Sequence, residues 1–133
     1  MILQVGVKVL LKNHGGKYLL LKRNPEKYSG LSVWDIPGGR IEAGVSLLEN
    51  LKREVLEETG LKISGVRLVA AQDILKSDKH VVRLTYVGSA DGEIKIGEEH
   101  TEAKWFSAEE VSGLGAELDS YIALLIKENL LNL

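Results

Sequence analysis

Four glutamates fall within the stretch Ser46 to Thr59, and their spacing decides what chemistry they can do. They are Glu49, Glu54, Glu57 and Glu58. At about 100° per residue, Glu58 falls between Leu47 and Leu51 on the apolar side of a helix. Glu54 falls just outside that side. The alternative is a solvated charged face, on which none of these acids has a chemical role.

A divalent metal ion accounts for an inward carboxylate pair on this helix. Charged Glu54 and Glu58, one turn apart near a core, repel each other and cost free energy unless a cation or hydrogen-bond donors compensate. Carboxylate oxygens are hard ligands that suit Mg²⁺ or Mn²⁺. Glu57, three residues after Glu54, can join the set. Arg53 lies at i+4 spacing from both Glu49 and Glu57, which predicts ion pairs with these two acids rather than contact with substrate.

A glycine loop precedes the helix. Pro37-Gly38-Gly39 lets the backbone approach a ligand closely, because glycine has no Cβ to obstruct it. A plain turn is the alternative for this tripeptide taken alone. Its position just before a helix that requires a metal favours a ligand-binding loop.

The surrounding elements predict an α/β sandwich around a mixed sheet. Ser46 with Glu49 is a capping box and Gly60 is placed to end the helix, so we expect a helix over Ser46 to Thr59. His14-Gly15-Gly16-Lys17 predicts a hairpin turn. The patterns favour strands at Ile2 to Leu11, Tyr18 to Arg23, Ser32 to Ile36, Lys62 to Ile74, Val81 to Val87, Glu93 to Ile96 and Ala103 to Phe106, a loop at Asn24 to Leu31, and a second helix at Ala116 to Asn129.

Composition narrows the classes of function. The 133 residues predict one domain, residues 1–133, and a net charge of -2 gives no global attraction to nucleic acid or to anionic lipid. The chain has no cysteine, which excludes disulfides and thiolate metal sites. Neither a signal peptide nor an apolar run of about 18 residues is seen, so we expect a soluble, cytoplasmic protein.

The segment Gly39 to Leu61, GRIEAGVSLLENLKREVLEETGL, resembles the Nudix box. That motif has Gly, five residues, Glu, seven residues, Arg-Glu, an aliphatic, any residue, Glu-Glu, any residue, Gly and an aliphatic. The matching positions are Gly39, Arg53, Glu54, Val55, Glu57, Glu58, Gly60 and Leu61. The lead-in Trp34 to Gly38 and the later Trp105 to Glu110 are also similar to the family, which implies a Nudix-type α/β/α sandwich.

The chain departs from the motif at Val45, which stands where the family usually has its first glutamate. In the family that side chain has a supporting role near the metal or the loop, while the Arg-Glu and Glu-Glu pairs carry the chemistry. We therefore expect activity that is weakened or that depends on a different acid. The alternative is a protein that binds ligand without turnover.

The resemblance also implies roles for individual residues. Glu54, Glu57, Glu58 and the backbone carbonyl of Gly38 would hold Mg²⁺ on a substrate diphosphate, and water would displace one phosphoryl group from the other. Glu99, from the acidic group Glu98, Glu99 and Glu102, would act as general base, although a solvated loop is the alternative and His100 is expected to be incidental. Gly39, Arg23 and Arg40 would contact substrate, unless the two arginines are surface charges, and Lys22 is expected to face away.

The substrate class stays open at this stage. Some subfamilies carry a proline or a tyrosine about fifteen residues beyond the box, and Lys76 and Ser77 occupy that neighbourhood here. A MutT-like nucleoside triphosphate pyrophosphohydrolase is therefore favoured over an ADP-ribose or dinucleoside polyphosphate hydrolase. The rivals are a nucleotide sensor that has lost the metal carboxylates, and a nucleic-acid-binding protein, which would need a basic, aromatic-rich surface.

Tyr28, Trp34, Tyr86 and Trp105 are candidates for base stacking or core packing. A homodimer through Tyr121, Leu124 and Leu125 is an open possibility.

Overall fold

The computed structural model describes residues 1–27 and 33–133. Within these ranges the strands are β1 (Ile2–Lys12), β2 (Tyr18–Arg23), β3 (Trp34–Asp35), β4 (Gly38–Arg40), β5 (Ser64–Leu75), β6 (Lys79–Ser89) and β7 (His100–Phe106). The α-helices are α1 (Leu47–Thr59), α2 (Ala108–Ser112) and α3 (Ser120–Lys127), with a 3-10 helix at Gly115–Glu117. The predicted loop from Asn24 and the strand from Ser32 lie partly outside the described residues, and Tyr28 lies wholly outside them.

The strands form one mixed sheet with the order β3-β2-β1-β6-β5. β1 runs parallel to β6 along its whole length, while its other edge pairs with β2 at Lys12 and with β4 from Gly6 to Lys8. β7 adds to the far side of β2, and β5 pairs with β6 in an antiparallel hairpin. β4 thus brings Gly38 and Gly39 onto the middle of β1.

Alternate residues of β1 and β2 supply two apolar layers, one on each face of the sheet. Val7, Val9 and Leu11 pack with Leu51 and Val55 of α1. On the opposite face, Leu10, Tyr18, Leu20 and Phe106 pack with Val111 of α2 and with Ile122 and Leu125 of α3. Since strand side chains alternate between faces, each face buries its own helical layer. The predicted α/β/α sandwich around a mixed sheet is confirmed.

The ends of α1 follow the predicted signals. Ser46 caps the helix by accepting a hydrogen bond from the backbone N–H of Glu49 at 3.2 Å. Gly60 ends it in the left-handed conformation, with φ of 74°. The first turn of α1 faces the core with a different side from the one that the leucine pattern predicts. Leu47 and Leu48 are exposed there, and Asn50 is fully buried. Asn50 donates to the carbonyls of Val45 and Ser46 and accepts from the N–H of Glu42, so it ties the helix to the preceding loop.

Two element predictions are wrong in the second half of the chain. Glu93 to Ile96 is not a strand: Gly92 turns the backbone at a φ of 126°, and Lys95 donates to the carbonyl of Thr59 at the end of α1. The predicted helix over Ala116 to Asn129 is shorter, because Asp119 caps α3 and the 3-10 helix precedes it. α2 was not predicted, although Ser107 and Glu110 form a full capping box that signals it. No helix within the described ranges is long and apolar enough to cross a membrane.

Candidate active site

The last two turns of α1 place two glutamates against the glycine loop. The N–H of Gly38 donates to Oε1 of Glu58 at 2.9 Å. A Cβ on Gly39 would lie 2.6 Å from Oε2 of Glu54, and a Cβ on Gly38 would lie 2.0 Å from the carbonyl oxygen of Val7. Both distances are shorter than van der Waals contact allows. Glycine at positions 38 and 39 is therefore what lets β4 and the two carboxylates share this space.

The fold opposes a negative charge on both acids. Burial raises the pKa of Glu58 to about 7, and the carboxylates of Glu54 and Glu99 add to that increase, while Lys8 and the Gly38 N–H oppose it. The pKa of Glu54 is also raised, first by burial and then by repulsion from Glu57. Two partly buried carboxylates with raised pKa values destabilise a helix that has only a structural role. The predicted inward position of Glu58 is confirmed, since its side chain is only 8% exposed.

Arg53 holds the outer edge of the same helix. Its guanidinium pairs with Glu42 at 3.3 Å, with Glu54 at 3.5 Å and with Glu57 at 3.7 Å. The predicted pair with Glu57 is confirmed and the predicted pair with Glu49 is wrong. Asn50 holds the loop before the helix by accepting a hydrogen bond from the N–H of Glu42. The carboxylate of Glu42 therefore reaches Arg53 and takes the place expected for Glu49. Glu57 is mostly exposed, and within the described ranges no three acids gather into a ready-made metal cage.

A buried ion network forms the floor beside these glutamates. Asp35, from β3, is paired with Lys8 at 3.3 Å, with Arg83 at 2.9 Å and with Arg23. Burial alone would raise the pKa of Asp35, but the three cations together hold it well below its usual range. Asp119 at the start of α3 pairs with Arg83 at 3.1 Å and with Arg23 at 3.2 Å. Four strands and a helix are thus joined through charges that compensate one another.

A cleft of about 880 Å³ opens over this floor. It is lined by Glu54 and Glu58, by Gly38, Gly39 and Arg40 of β4, and by Glu99 from the loop before β7. Glu98 and Glu102 are turned away, towards Lys27 at 3.9 Å and Lys22 at 3.8 Å. The structure therefore brings Glu99 alone of the three acids to the cleft.

His100, expected to be incidental, lies next to Glu58 in the structure. His100 begins β7 and pairs with Arg23 of β2, and its ring is buried beside α1. Its Nε2 lies 3.6 Å from Oε2 of Glu58, and burial lowers the pKa of the imidazole. A neutral ring can therefore accept or donate a hydrogen bond next to Glu58.

The two candidate substrate arginines differ in their surroundings. Arg40 is exposed at the end of β4 and lines the cleft. Arg23 also lines the cleft, but its guanidinium is held by Asp35 and Asp119, so it supports the floor as well. Lys22 faces Glu102 and the ring of Trp34, as its alternation with Arg23 predicts.

Sequence reasoning missed Lys8, Asp35, Arg83 and Asp119, although two of them carry a visible signal. Lys8 interrupts the apolar run Val5 to Leu11, and Arg83 interrupts Val81 to Val87. A charge in a strand with apolar neighbours on both sides needs a buried partner. The partners come from distant parts of the chain, so only the fold identifies them.

The three aromatic candidates in the described ranges pack in the core. Trp34 contacts Phe106 edge to face at 4.8 Å, and Tyr86 and Trp105 pack with the layer that includes α1. Among the described residues, the aromatic side chain that lines the cleft is Tyr121, whose ring lies 4.8 Å from the Arg83 guanidinium. The expected exposure of Leu125 is wrong, because this residue is buried in the core, whereas Leu124 is well exposed. The homodimer itself stays a prediction.

Comparison with known proteins agrees with this geometry. The family model described as NUDIX domain matches residues 2–125. An NAD-capped RNA hydrolase NudC of Mannheimia succiniciproducens is 31% identical over 79% of this chain and 37% of its own length. A putative 8-oxo-dGTP diphosphatase of Bacillus subtilis is 32% identical over 77% of this chain and 65% of its own length.

A solved structure shares the architecture as well as part of the sequence. A MutT protein from Methanosarcina mazei Go1 has a TM-score of 0.78 and 29% identity, with 96% of each chain covered. The chain spans 37% or less of the length of the first three curated relatives. By its matched domain, its fold and its glutamate helix, the chain belongs to the Nudix family.

Proposed function

We propose that the protein is a Mg²⁺-dependent hydrolase that cleaves a diphosphate linkage in a nucleoside diphosphate-X substrate. The observation that carries this proposal is the placement of Glu54 and Glu58 against Gly38 and Gly39. These carboxylates have raised pKa values, so the fold alone does not stabilise their charged forms. A bound divalent cation would provide that stabilisation.

The donor set fits magnesium. Mg²⁺ in phosphate-processing sites is bound by one or two carboxylates together with water and substrate phosphates, rather than by a protein cage. Glu54 and Glu58 are the two carboxylates of α1 that line the cleft. Glu57 can turn from Arg53 to join them, with the carbonyl of Gly38 as a further oxygen ligand. Mn²⁺ suits the same ligands. The metal, when bound, neutralises phosphate charge and lowers the pKa of a water molecule.

The residues around the metal site then have separate roles in the proposed reaction. Arg53 orients Glu54 through its ion pair, and Gly39 leaves room for that carboxylate against β4. Arg40 donates to phosphate oxygens from the exposed end of β4. Glu99, which lines the cleft, accepts the proton of the attacking water.

Glu42 is the acid nearest in the chain to Val45 that pairs with Arg53. The carboxylate of Glu42 reaches Arg53 at 3.3 Å from the same loop that holds Val45. Val45 itself contributes its carbonyl to Asn50, a backbone contact that any side chain permits. We propose that Glu42 supports Arg53 in this chain and that turnover does not require a glutamate at position 45.

A nucleoside triphosphate is the favoured substrate, with ADP-ribose and dinucleoside polyphosphates as alternatives. The name of the B. subtilis relative points to a triphosphate, whereas the name of the M. succiniciproducens relative points to a capped RNA. A nucleotide sensor without turnover would have no need of Glu54, Glu57 and Glu58, and all three are present. The enzyme is therefore preferred over the sensor.

A substrate panel tests the proposal. Nucleoside triphosphates, ADP-ribose, dinucleoside polyphosphates and nucleotide sugars would each be incubated with Mg²⁺ or with EDTA, and the products identified by mass spectrometry. We expect cleavage of a diphosphate linkage in at least one compound with Mg²⁺ and none with EDTA. The matched variants are Glu54→Gln, which we expect to be inactive, and Glu49→Gln on the same helix, which should retain activity. Cleavage that persists in EDTA or in Glu54→Gln would refute the metal role.

A further inference from the structure

The cleft continues along β1 beyond the glycine loop. Lys8 points to the floor of the cleft, where it pairs with Asp35. Because strand side chains alternate between the two faces of a sheet, Gly6 and Gln4 lie on the same face as Lys8. Both residues line the cleft, as does Val81, which pairs with Gln4 from the parallel strand β6. This face therefore extends the cleft from the glycine loop towards the start of β1.

The middle of this extension is a balanced, partly aromatic surface. Gly6 pairs with Arg83 of β6. The guanidinium of Arg83 is paired with Asp35 and with Asp119, so its charge is compensated. The ring of Tyr121, which lines the cleft, lies 4.8 Å from that guanidinium. An uncharged, flat group suits this surface better than a phosphate does.

Glycine at position 6 is not required by the fold. Its backbone is outside the left-handed region, and of the described residues a Cβ there would meet only the carbonyl oxygen of Gly39, at an ordinary contact distance of 3.6 Å. Glycine inside a strand weakens the strand and often marks a place where a ligand approaches the backbone. A methyl group on Gly6 would project from the face that lines the cleft. The glycine therefore leaves space for a ligand rather than for another part of the chain.

Gln4 supplies a polar group at the end of this surface. The residue is half-buried, and within residues 1–27 and 33–133 its amide has no hydrogen-bond partner. A primary amide carries an acceptor oxygen beside an N–H donor. This pair matches the edge of a nucleobase, where a donor and an acceptor are also adjacent, as when glutamine pairs with adenine.

The spacing along β1 agrees with the length of a nucleotide. Gly39 pairs with Val7, which is three residues from Gln4. At about 3.3 Å per residue this separation is roughly 10 Å. An extended nucleoside 5′-diphosphate covers that distance from its phosphates to the outer edge of its base, and its nucleoside then passes over Gly6.

We propose that Gln4 binds the edge of the substrate's nucleobase through two hydrogen bonds and that Gly6 provides the space for the nucleoside. This inference rests on the proposed function, which places the diphosphate at Gly38 and Gly39. The amide can rotate to match either an amine beside a ring nitrogen or a carbonyl beside a ring N–H. The substrate class is therefore a nucleoside polyphosphate with little restriction on the base, and a ribose polyphosphate without a base is a poor substrate.

Substrates with and without a base test the role of Gln4. ATP, GTP, CTP and UTP would be compared with ribose 5-triphosphate. In the native protein we expect the nucleotides to have KM values at least about tenfold lower, the effect of two ordinary hydrogen bonds, with similar kcat. Gln4→Leu should raise KM for the nucleotides by about this factor and leave KM for ribose 5-triphosphate unchanged. Equal KM values for the two classes in the native protein, or nucleotide KM values that do not change in Gln4→Leu, would overturn the inference.

A second variant tests the pattern of hydrogen bonds. Charged glutamate has the shape of glutamine but only accepts hydrogen bonds. Guanine offers it two adjacent donors, the N1–H and the 2-amino group, whereas the adenine edge offers an amine alone. Gln4→Glu should therefore shift the ratio of KM values in favour of GTP over ATP by about tenfold relative to the native protein. An unchanged ratio would show that position 4 does not contact the base.

Gly6→Ala tests the space above β1. The added methyl group makes an ordinary contact within the fold, so Tm should not fall, but KM for the nucleotides should rise several-fold. Gly113→Ala is the matched control, because Gly113 is exposed outside the cleft and a Cβ there also makes only ordinary contacts. Its KM values should equal those of the native protein. A folded Gly6→Ala variant with native KM values would contradict the proposed path of the nucleoside.

Binding without metal distinguishes this inference from the proposed function. AMP and ribose 5-phosphate would be titrated in EDTA by calorimetry into the native protein and into Gln4→Leu. Tighter binding of AMP that is lost in Gln4→Leu supports the inference even if no compound is hydrolysed. Hydrolysis of nucleoside triphosphates by a protein that binds AMP no more tightly than ribose 5-phosphate would support the proposed function and overturn the inference.

Discussion

Replacing Glu58 with glutamine measures how strongly the fold opposes a charged carboxylate at this position. The pKa of Glu58 is raised from 4.5 to about 7, so the folded protein binds this proton more tightly than the unfolded chain does. The stabilisation from this proton is complete below pH 4.5 and is lost as the pH rises through 7. At about 1.4 kcal/mol per pKa unit, the loss is about 3 kcal/mol at pH 8.5.

Thermal unfolding in EDTA is the assay for this prediction. Glutamine keeps an oxygen for the N–H of Gly38 and carries no charge, so Glu58→Gln should be more stable than the native protein at pH 8.5. The expected difference of about 3 kcal/mol corresponds to a rise in Tm of about 12 °C for a chain of this length. At pH 4.5 the two proteins should unfold at nearly the same temperature. Added Mg²⁺ should raise the Tm of the native protein at pH 8.5 and leave that of the variant unchanged.

Glu49→Gln provides the control, because Glu49 is exposed in the first turn of the same helix. Its stability should follow the same pH profile as the native protein. Parallel pH profiles for the native protein and Glu58→Gln, or a lower Tm for Glu58→Gln at pH 8.5, would refute the reasoning about the buried carboxylate.

Three other predictions concern the surroundings of the site. Asp35→Asn leaves three cations without their shared acid, so we expect a loss of about 3–5 kcal/mol in the free energy of unfolding at pH 7 by denaturant titration. Because the pKa of Asp35 is lowered, the native protein should become less stable as the pH falls towards acid, so that its free energy of unfolding approaches that of Asp35→Asn. An unchanged difference in stability between the two proteins at low pH would contradict the buried ion pairs assigned to Asp35. Gly39→Ala displaces Glu54, and kcat should fall about 100-fold while Tm changes little. Glu42→Gln should reduce kcat about tenfold and Val45→Glu should change it less than about twofold; a large gain from Val45→Glu would show that the chain lacks a needed acid.

The carboxylate helix could be predicted because its signals are local. Ser46 and Gly60 mark its ends, and the helical period places Glu58 near the core. The same period places Leu47 and Leu48 of the first turn against the core, and this prediction is wrong. In the structure these two leucines are exposed and the polar Asn50 is buried instead. Asn50 is buried by hydrogen bonds to the preceding loop, and periodicity of hydrophobic residues does not record such bonds.

The floor of the cleft could not be predicted because its partners are distant in the sequence. Arg23 and Asp119 are 96 residues apart, and Arg83 and Asp35 are 48 residues apart. Their contacts require the pairing of β1 with β6 and the position of α3, which no local pattern specifies. The single charge within each apolar run, Lys8 in β1 and Arg83 in β6, indicates only that a buried partner exists.

The rate of hydrolysis by Glu58→Gln with saturating Mg²⁺ tests the central claim most directly. With the best substrate of the panel, removal of one charged ligand should lower kcat by at least about 100-fold, and Glu49→Gln should stay within about twofold of the native protein. Circular dichroism of both variants would verify that the fold is retained. A Glu58→Gln variant that is folded and as active as the native protein would contradict the assignment of a metal-dependent site to this helix and its glycine loop.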